Sequence, residues 1–370
     1  MHRMNISIFL FLFFSAVALP GFCLTSPNIS ANTLFLYQNS NYHNGNFSTT
    51  SPDQSPNGLD LQEAEIQFYA DVDPYTRLNV LLTVSPTYAA SGTSVVESWG
   101  IAPEEVFAES NVIEDVTLKL GRFYAALGKH NTLHTHAFPL IEAPLINTKL
   151  LGDGLNDAGL SAAVLLPSFW FNEITLQYLR GQNSNAEFSS PSPGGGVGLI
   201  HWKNLFDVSE AMTAEIGASY ASGGNSYGST TSLSGGDLTL KWRPAEGGRY
   251  TSAQWATEYL SRIQSQASYS NEQAGGIASY FQYQFIERWT ATYRYDNLAV
   301  KNSYTVSSLP NVTTERHTLA FSYSPSEFSS YKTEFFQTAG GAPNSNNQYN
   351  EYAFFIQANY TIGAHPAHSY

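Results

Sequence analysis

The sequence predicts an all-β fold, a transmembrane antiparallel β-barrel of about sixteen strands. Three observations carry that expectation. Charged residues make up 13% of the 370 residues and aromatics 14%, where soluble globular chains carry about 25% charged residues. Beyond the N-terminal segment no apolar run reaches the length of a membrane-spanning helix, about 20 residues. Much of the chain instead alternates apolar with polar side chains in segments of about ten residues, the period of a strand with one oily and one wet face.

The elements follow in order. Arg3 precedes "ISIFLFLFFSAVAL", Ile6 to Leu19, and Pro20 and Gly21 break that run. Its length suits a signal-peptide core and falls short of a bilayer span. Residues 1–23 are therefore expected to be a signal peptide and 24–370 the barrel. Cys23, the sole cysteine, leaves with the signal, so no disulfide holds the mature chain. The first strand is placed near 29–38. "AEIQFYADV" sets Ala64, Ile66, Phe68 and Ala70 on one face and Glu65, Gln67, Tyr69 and Asp71 on the other. "YTRLNVLLTV" sets Leu78, Val80, Leu82 and Val84 against Arg77 and Asn79. "VTLKLGRF" sets Val116, Leu118 and Leu120 against Thr117 and Lys119, with Gly121 marking a bulge before the out-of-phase Arg122. "GDLTLKWR" and "WTATYRYDN" repeat the pattern, and "YAFFIQANYTI" closes it within a last strand near 348–363. Alternation is weak at 34–38 and 95–109.

The connections alternate in length. Short ones fall at 72–75, 110–115, 167–171, 206–211, 243–250, 286–289 and 324–328. Longer polar ones, rich in Gly, Asn and Ser, fall at 39–58, 85–93, 128–154, 181–195, 222–232, 264–271, 301–312 and 339–348. An even strand number with both termini on the short-turn side is how bacterial outer-membrane barrels are built, with short turns toward the periplasm. Trp170, Trp202, Trp242, Trp255, Trp289 and Tyr259 lie near expected strand ends, as interfacial aromatic girdles do. A propeller would show a repeat near 40 residues, and a sandwich would carry more outer charge.

The runs "LQEAEIQFYADVDPYTRLNVLL", "LKLGRFYAALGKHNTLHTHAFPLIEAPLI", "GLNDAGLSAAVLLP" and "NYTIGAHPAHSY" together resemble a family of Gram-negative porin-like outer-membrane proteins, distantly similar to the phosphate-selective porins. Members are sometimes labelled zinc-regulated TonB-dependent outer membrane receptors. The receptor label fits this chain badly, because such receptors need a plug domain and about 22 strands. Tyr370 is an aromatic C-terminal residue, as barrel-insertion signals usually have, although "AHPAHSY" trails the last strand. The resemblance implies that the loop between the fifth and sixth strands, residues 128–154, folds into the lumen and narrows it. Gly128, Gly152 and Gly154 would permit its sharp ends. Its many apolar residues, Leu133, Phe138, Leu140, Ile141, Leu145, Ile146, Leu150 and Leu151, suit packing against the wall.

That loop crowds His130, His134 and His136 together. Their spacing allows a metal reading, zinc above all. A catalytic reading lacks a nucleophile context, and a third reading has them lining the constriction and bonding to the wall. The expected pore constriction is Lys129, His130, His134, His136, Glu142 and Lys149. The expected pore wall is Arg77, Lys119, Arg294, Arg316, Glu63 and Glu65, within an inward set that also holds Glu173, Glu215, Glu258, Glu334, Lys203, Lys241, Arg262 and Lys332. Function is expected to be passive diffusion of small polar or ionic solutes, with no enzyme activity and no cofactor. The alternative is a substrate-specific channel or receptor binding a metal ion such as zinc, and a third option is a barrel enzyme or adhesin. Expected partners are outer-membrane lipid and lipopolysaccharide, with a homotrimer implied by analogy with general porins. The net charge of −13 argues against nucleic acid.

Overall fold

Strand pairing follows the alternation. The structure is a computed structural model that describes residues 26–41, 57–91, 94–152, 154–182, 186–190, 195–266, 271–301, 311–341 and 348–363. The expected signal peptide, His365, His368 and Tyr370 lie outside the described residues. The strands are β1 (Asn28–Ser40), β2 (Gly58–Asp73), β3 (Thr76–Ser91), β4 (Ser94–Ile113), β5 (Val116–Tyr124), β6 (Asn156–Leu165), β7 (Phe171–Leu179) and β8 (Val197–Ser209). They continue with β9 (Met212–Gly224), β10 (Thr230–Trp242), β11 (Ser252–Gln264), β12 (Glu272–Ile286), β13 (Trp289–Lys301), β14 (Asn311–Ser326), β15 (Ser329–Gly341) and β16 (Gln348–Gly363). Each pairs antiparallel with its sequence neighbours, and β1 pairs with β16 to close the barrel. Closure satisfies the strand backbones without an open edge, the condition for crossing hydrocarbon with strands.

The burial pattern is that of a soluble protein turned inside out. Outward side chains such as Leu120, Leu160, Leu176, Ile200, Trp255, Phe281, Leu319, Phe354 and Ile356 are exposed, while inward Glu65, Asn79, Glu215, Glu258, Arg294, Asp296, Arg316, Thr318 and Glu334 are buried. Trp170 lies just before β7, Trp242 ends β10 and Trp289 begins β13, all at the short-turn rim. Trp289 packs on Tyr323 there at 4.6 Å. Trp202, Trp255 and Tyr259 lie further along their strands, so the girdle is carried by the first three.

The short turns fall where the sequence places them. At Glu114–Asp115 and Glu287–Arg288 the second residue has positive φ, 60° at Asp115 and 72° at Arg288, the backbone that tight hairpins demand. One expected loop is corrected: 85–93 is not a long connection. β3 runs on to Ser91 and β4 begins at Ser94, with Pro86 opposite Trp99. Twenty residues of β4 far exceed the 9–11 needed to cross a bilayer, so the hairpin extends beyond the lipid.

Candidate functional site: the lumen and its infolded segment

Residues 125–155 leave β5 and return to β6 through the interior of the barrel. The sequence folds this way because apolar side chains and backbone amides both find partners inside. Short 3-10 turns form at His130–Thr132 and Thr135–Ala137, and a seven-residue helix, α1, at Leu145–Leu151. Leu145, Ile146, Leu150 and Leu151 of α1 are buried. α1 packs on β11, β12 and β13, in a cluster that includes Leu233, Leu260 and Leu298. Gly128, Gly152 and Gly154 all have positive φ, at 66°, 61° and 99°. At Gly128 a Cβ would also run into the Glu258 carboxylate.

Wall carboxylates accept many of the donors that the segment turns toward the barrel. Gly128 N–H donates to Ser219 Oγ of β9 (2.9 Å), and Lys129 Nζ to Glu215 Oε1 of the same strand (2.8 Å). His130 N–H donates to Glu258 Oε2 of β11 (2.9 Å). Ile141 N–H reaches Glu334 of β15 (2.5 Å), and Leu145 N–H reaches Asp296 of β13 (3.1 Å). Two wall cations hold carbonyls: Arg294 donates to the oxygens of Glu142 (2.6 Å) and Ala143 (3.2 Å), and Lys332 to that of Phe138. Arg294 is itself paired with Asp296 at 2.7 Å. On the opposite wall Thr135 Oγ1 donates to Glu63 (3.4 Å) and Ala126 N–H to Gln177 of β7 (2.9 Å). The segment is thus moored on several sides of the lumen.

The three histidines have three environments. His130 packs on Phe138 at 4.3 Å; burial, then the nearby Arg294 charge, push its pKa down to about 3. His134 and His136 stack in parallel at 5.9 Å. His134 Nδ1 lies 3.2 Å from Glu104 Oε1 and Nε2 3.2 Å from Glu105 Oε2. Burial opposes charge on His134, but hydrogen bonds to Glu104 and Glu105 outweigh it and hold its pKa well above the usual value. His136 Nδ1 sits 2.8 Å from Glu65 Oε2, and burial together with the His134 charge pushes its pKa down to about 4. The structure therefore groups His134 and His136 with four wall acids and sets His130 among different partners. Of the other expected constriction residues, Glu142 lines the remaining gap. The Lys149 ammonium is pushed down by burial and then by Arg316.

The expected wall residues divide. Glu63 and Glu65 face the histidines, and Arg294 moors the loop. Arg316 contacts the Phe336 ring and pairs with Glu351 at 3.6 Å. Arg77 and Lys119 lie close to the short-turn rim, within a ladder of cross-strand partners: Asp71 to Arg77, Arg77 to Glu109, and Glu109 to Lys119. Gly121 has φ 140°, and Arg122 after it lines the gap with Tyr124. Glu104 and Glu105 were not anticipated. A register shift between Leu81 and Leu82 omits Glu104 from the pairing, and that bulge brings both carboxylates to one histidine. The adjacent acids after Pro103 are the only trace in the sequence. A second inward piece was also missed: Glu187, in the turn Ala186–Phe188, pairs with Arg262, which also pairs with Glu272, and Phe188 joins the α1 cluster.

No family model matches the chain. It is 27% identical over 350 residues to an uncharacterized protein of Aquifex aeolicus, across 85% of this chain and 70% of that one. Among solved structures, OmpT of Vibrio cholerae superposes with a TM-score of 0.59 at 9% identity, covering 92% of this chain and 99% of OmpT. The outer membrane channel DcaP of Acinetobacter baumannii gives 0.58 at 11%, covering 91% and 97%. The anion-selective porin from Comamonas acidovorans gives 0.58 at 9%, covering 91% and 99%. The fold is a porin fold.

Proposed function

We propose that the chain is an outer-membrane channel through which small polar solutes diffuse passively, with a preference for cations. The observation that supports this is the gap left by the infolded segment. A cavity of about 620 Å³ lies between that segment and the wall formed by β1 to β5. Among the residues facing it are Asp60, Glu63, Glu104 and Glu142, with Arg122 as their cationic counterpart. A net acidic lining, even with Glu104 set against His134, lowers the energy of cations and raises that of anions within a narrow, low-dielectric passage. The Comamonas porin shares the fold and is named for the opposite sign, so it is the lining that sets selectivity. The acidic lining also does not support a phosphate-selective reading. A homotrimer is the assembly we infer, since one of the similar solved structures is Vibrio cholerae OmpT in a trimer form.

The test is reconstitution in planar bilayers. A potassium-over-chloride permeability ratio above one is expected, falling when Asp60 and Glu142 are replaced together by Asn and Gln. Replacing residues 129–152 by a short Gly-Ser link should raise conductance severalfold. Absence of conductance from folded barrels would overturn the channel, and chloride preference would overturn the acidic-lining argument.

A further inference from the structure

Glu63 and Glu65 of β2, Glu104 and Glu105 of β4, and His134 and His136 of the infolded segment meet at one place on the lumen wall. One ligand atom each from Glu65, Glu104 and His134 lies within 4.8 Å of the other two. The four carboxylates bring up to four negative charges, and the two imidazoles at most two positive ones. Of the cations beyond them, Lys332 is engaged with the Phe138 carbonyl, and Arg122 stands in the cavity wall. Glu65 is 2% exposed, so water does little to screen the excess. Glu63 adds a further carboxylate: its Oε2 accepts from Thr135, and its side chain lies within hydrogen-bond reach of that of Glu65. Two buried carboxylates in contact are costly unless a proton or a cation lies between them.

We propose that this cluster binds one divalent transition-metal ion, held by Glu65, Glu104 and His134. Glu63, Glu105 or His136 supplies a further ligand. Two carboxylates and an imidazole favour a borderline ion over calcium or magnesium, which take oxygen alone. With metal–ligand distances of about 2 Å, ligand atoms in such a site stand about 3.3 Å apart. From the 4.8 Å bound the side chains therefore need to close by at most about 1.5 Å, within the reach of rotamer adjustment. The ion would tie β2 and β4 to the infolded segment and fix it on the side away from α1. The position differs from a site built on the three loop histidines, because His130 takes no part.

The experiment is zinc binding by the folded barrel in detergent, after chelator treatment, measured by equilibrium dialysis with elemental analysis. It does not depend on conductance, so it can fail while the channel stands, and the reverse. Wild type is expected to bind one equivalent saturably and, with the ion bound, to resist proteolysis within residues 129–143. His134→Ala and the near-isosteric Glu104→Gln should each weaken binding at least tenfold, whereas His317→Ala, on the outer face, should leave it unchanged. Circular dichroism confirms that each variant compared is a folded barrel. Absence of saturable binding by wild type overturns the proposal. So does binding that survives both substitutions, or binding lost equally in His317→Ala.

Discussion

Arg294 shows what a single buried charge does in this lumen. It is 2% exposed, paired with Asp296, and donates to two loop carbonyls. Arg294→Met leaves Asp296 buried without its counter-charge, a cost of about 3–5 kcal/mol for breaking such a pair. The loop's turn at Glu142–Ala143 should then loosen, with a higher single-channel conductance and unchanged β content. His130 gives a pH dependence with a definite sign. Its folded pKa, about 3, lies below the unfolded value of about 6.5. Unfolded His130 takes a proton as pH drops below about 6.5 while folded His130 does not, so its contribution to stability is full above that pH and declines toward pH 3. Proteolysis of the segment should speed up across that window, and less so in His130→Phe. Residues of this kind were partly legible. Lys129, the histidines and the wall acids of β2 follow from the loop's composition and from period-two parity. Glu104 and Glu105 did not, because a bulge suspends parity where it occurs.

A seven-residue helix has no stability of its own, so α1 exists because the wall offers it a seat. Parity explains the seat: Leu260 is two residues from Glu258 and Leu298 two from Asp296, so these leucines share the wet face. Alternation alone marks that face as polar and hides the patch. The loop's surplus of leucines and isoleucines was the readable half of the pair. Ile146→Asn places an amide where the side chain is fully buried, at a cost of about 2–5 kcal/mol. The expected readout is rapid cleavage within residues 129–152 while the barrel remains protected. The β3–β4 hairpin is the contrary case. Past the bilayer, hydrocarbon no longer sets one face apart from the other, and small residues in the sequence such as Ser85, Thr87, Ala89 and Ala90 read as loop.

At the scale of the whole molecule, the solvent on each side sorts the side chains. An apolar exterior and a charged interior make sense only if hydrocarbon lies outside. Leu319→Arg, on the outer face of β14, should cost about 2–4 kcal/mol if it lies near the midplane, measured by denaturant titration of folding into vesicles. Tryptophan emission should be quenched by lipids brominated along their acyl chains. Neither result is expected of a water-soluble sandwich. The pairing of Ser30 with Gly363, continuing to Ser40 with Ala353, carries a demand of its own. The cylinder is sealed by its two strands most distant in sequence, so the seam cannot be sewn until β16 has been made. A chain that stops before Gln348 would present two raw margins at once, and its fate would be clumping rather than a slightly smaller pore.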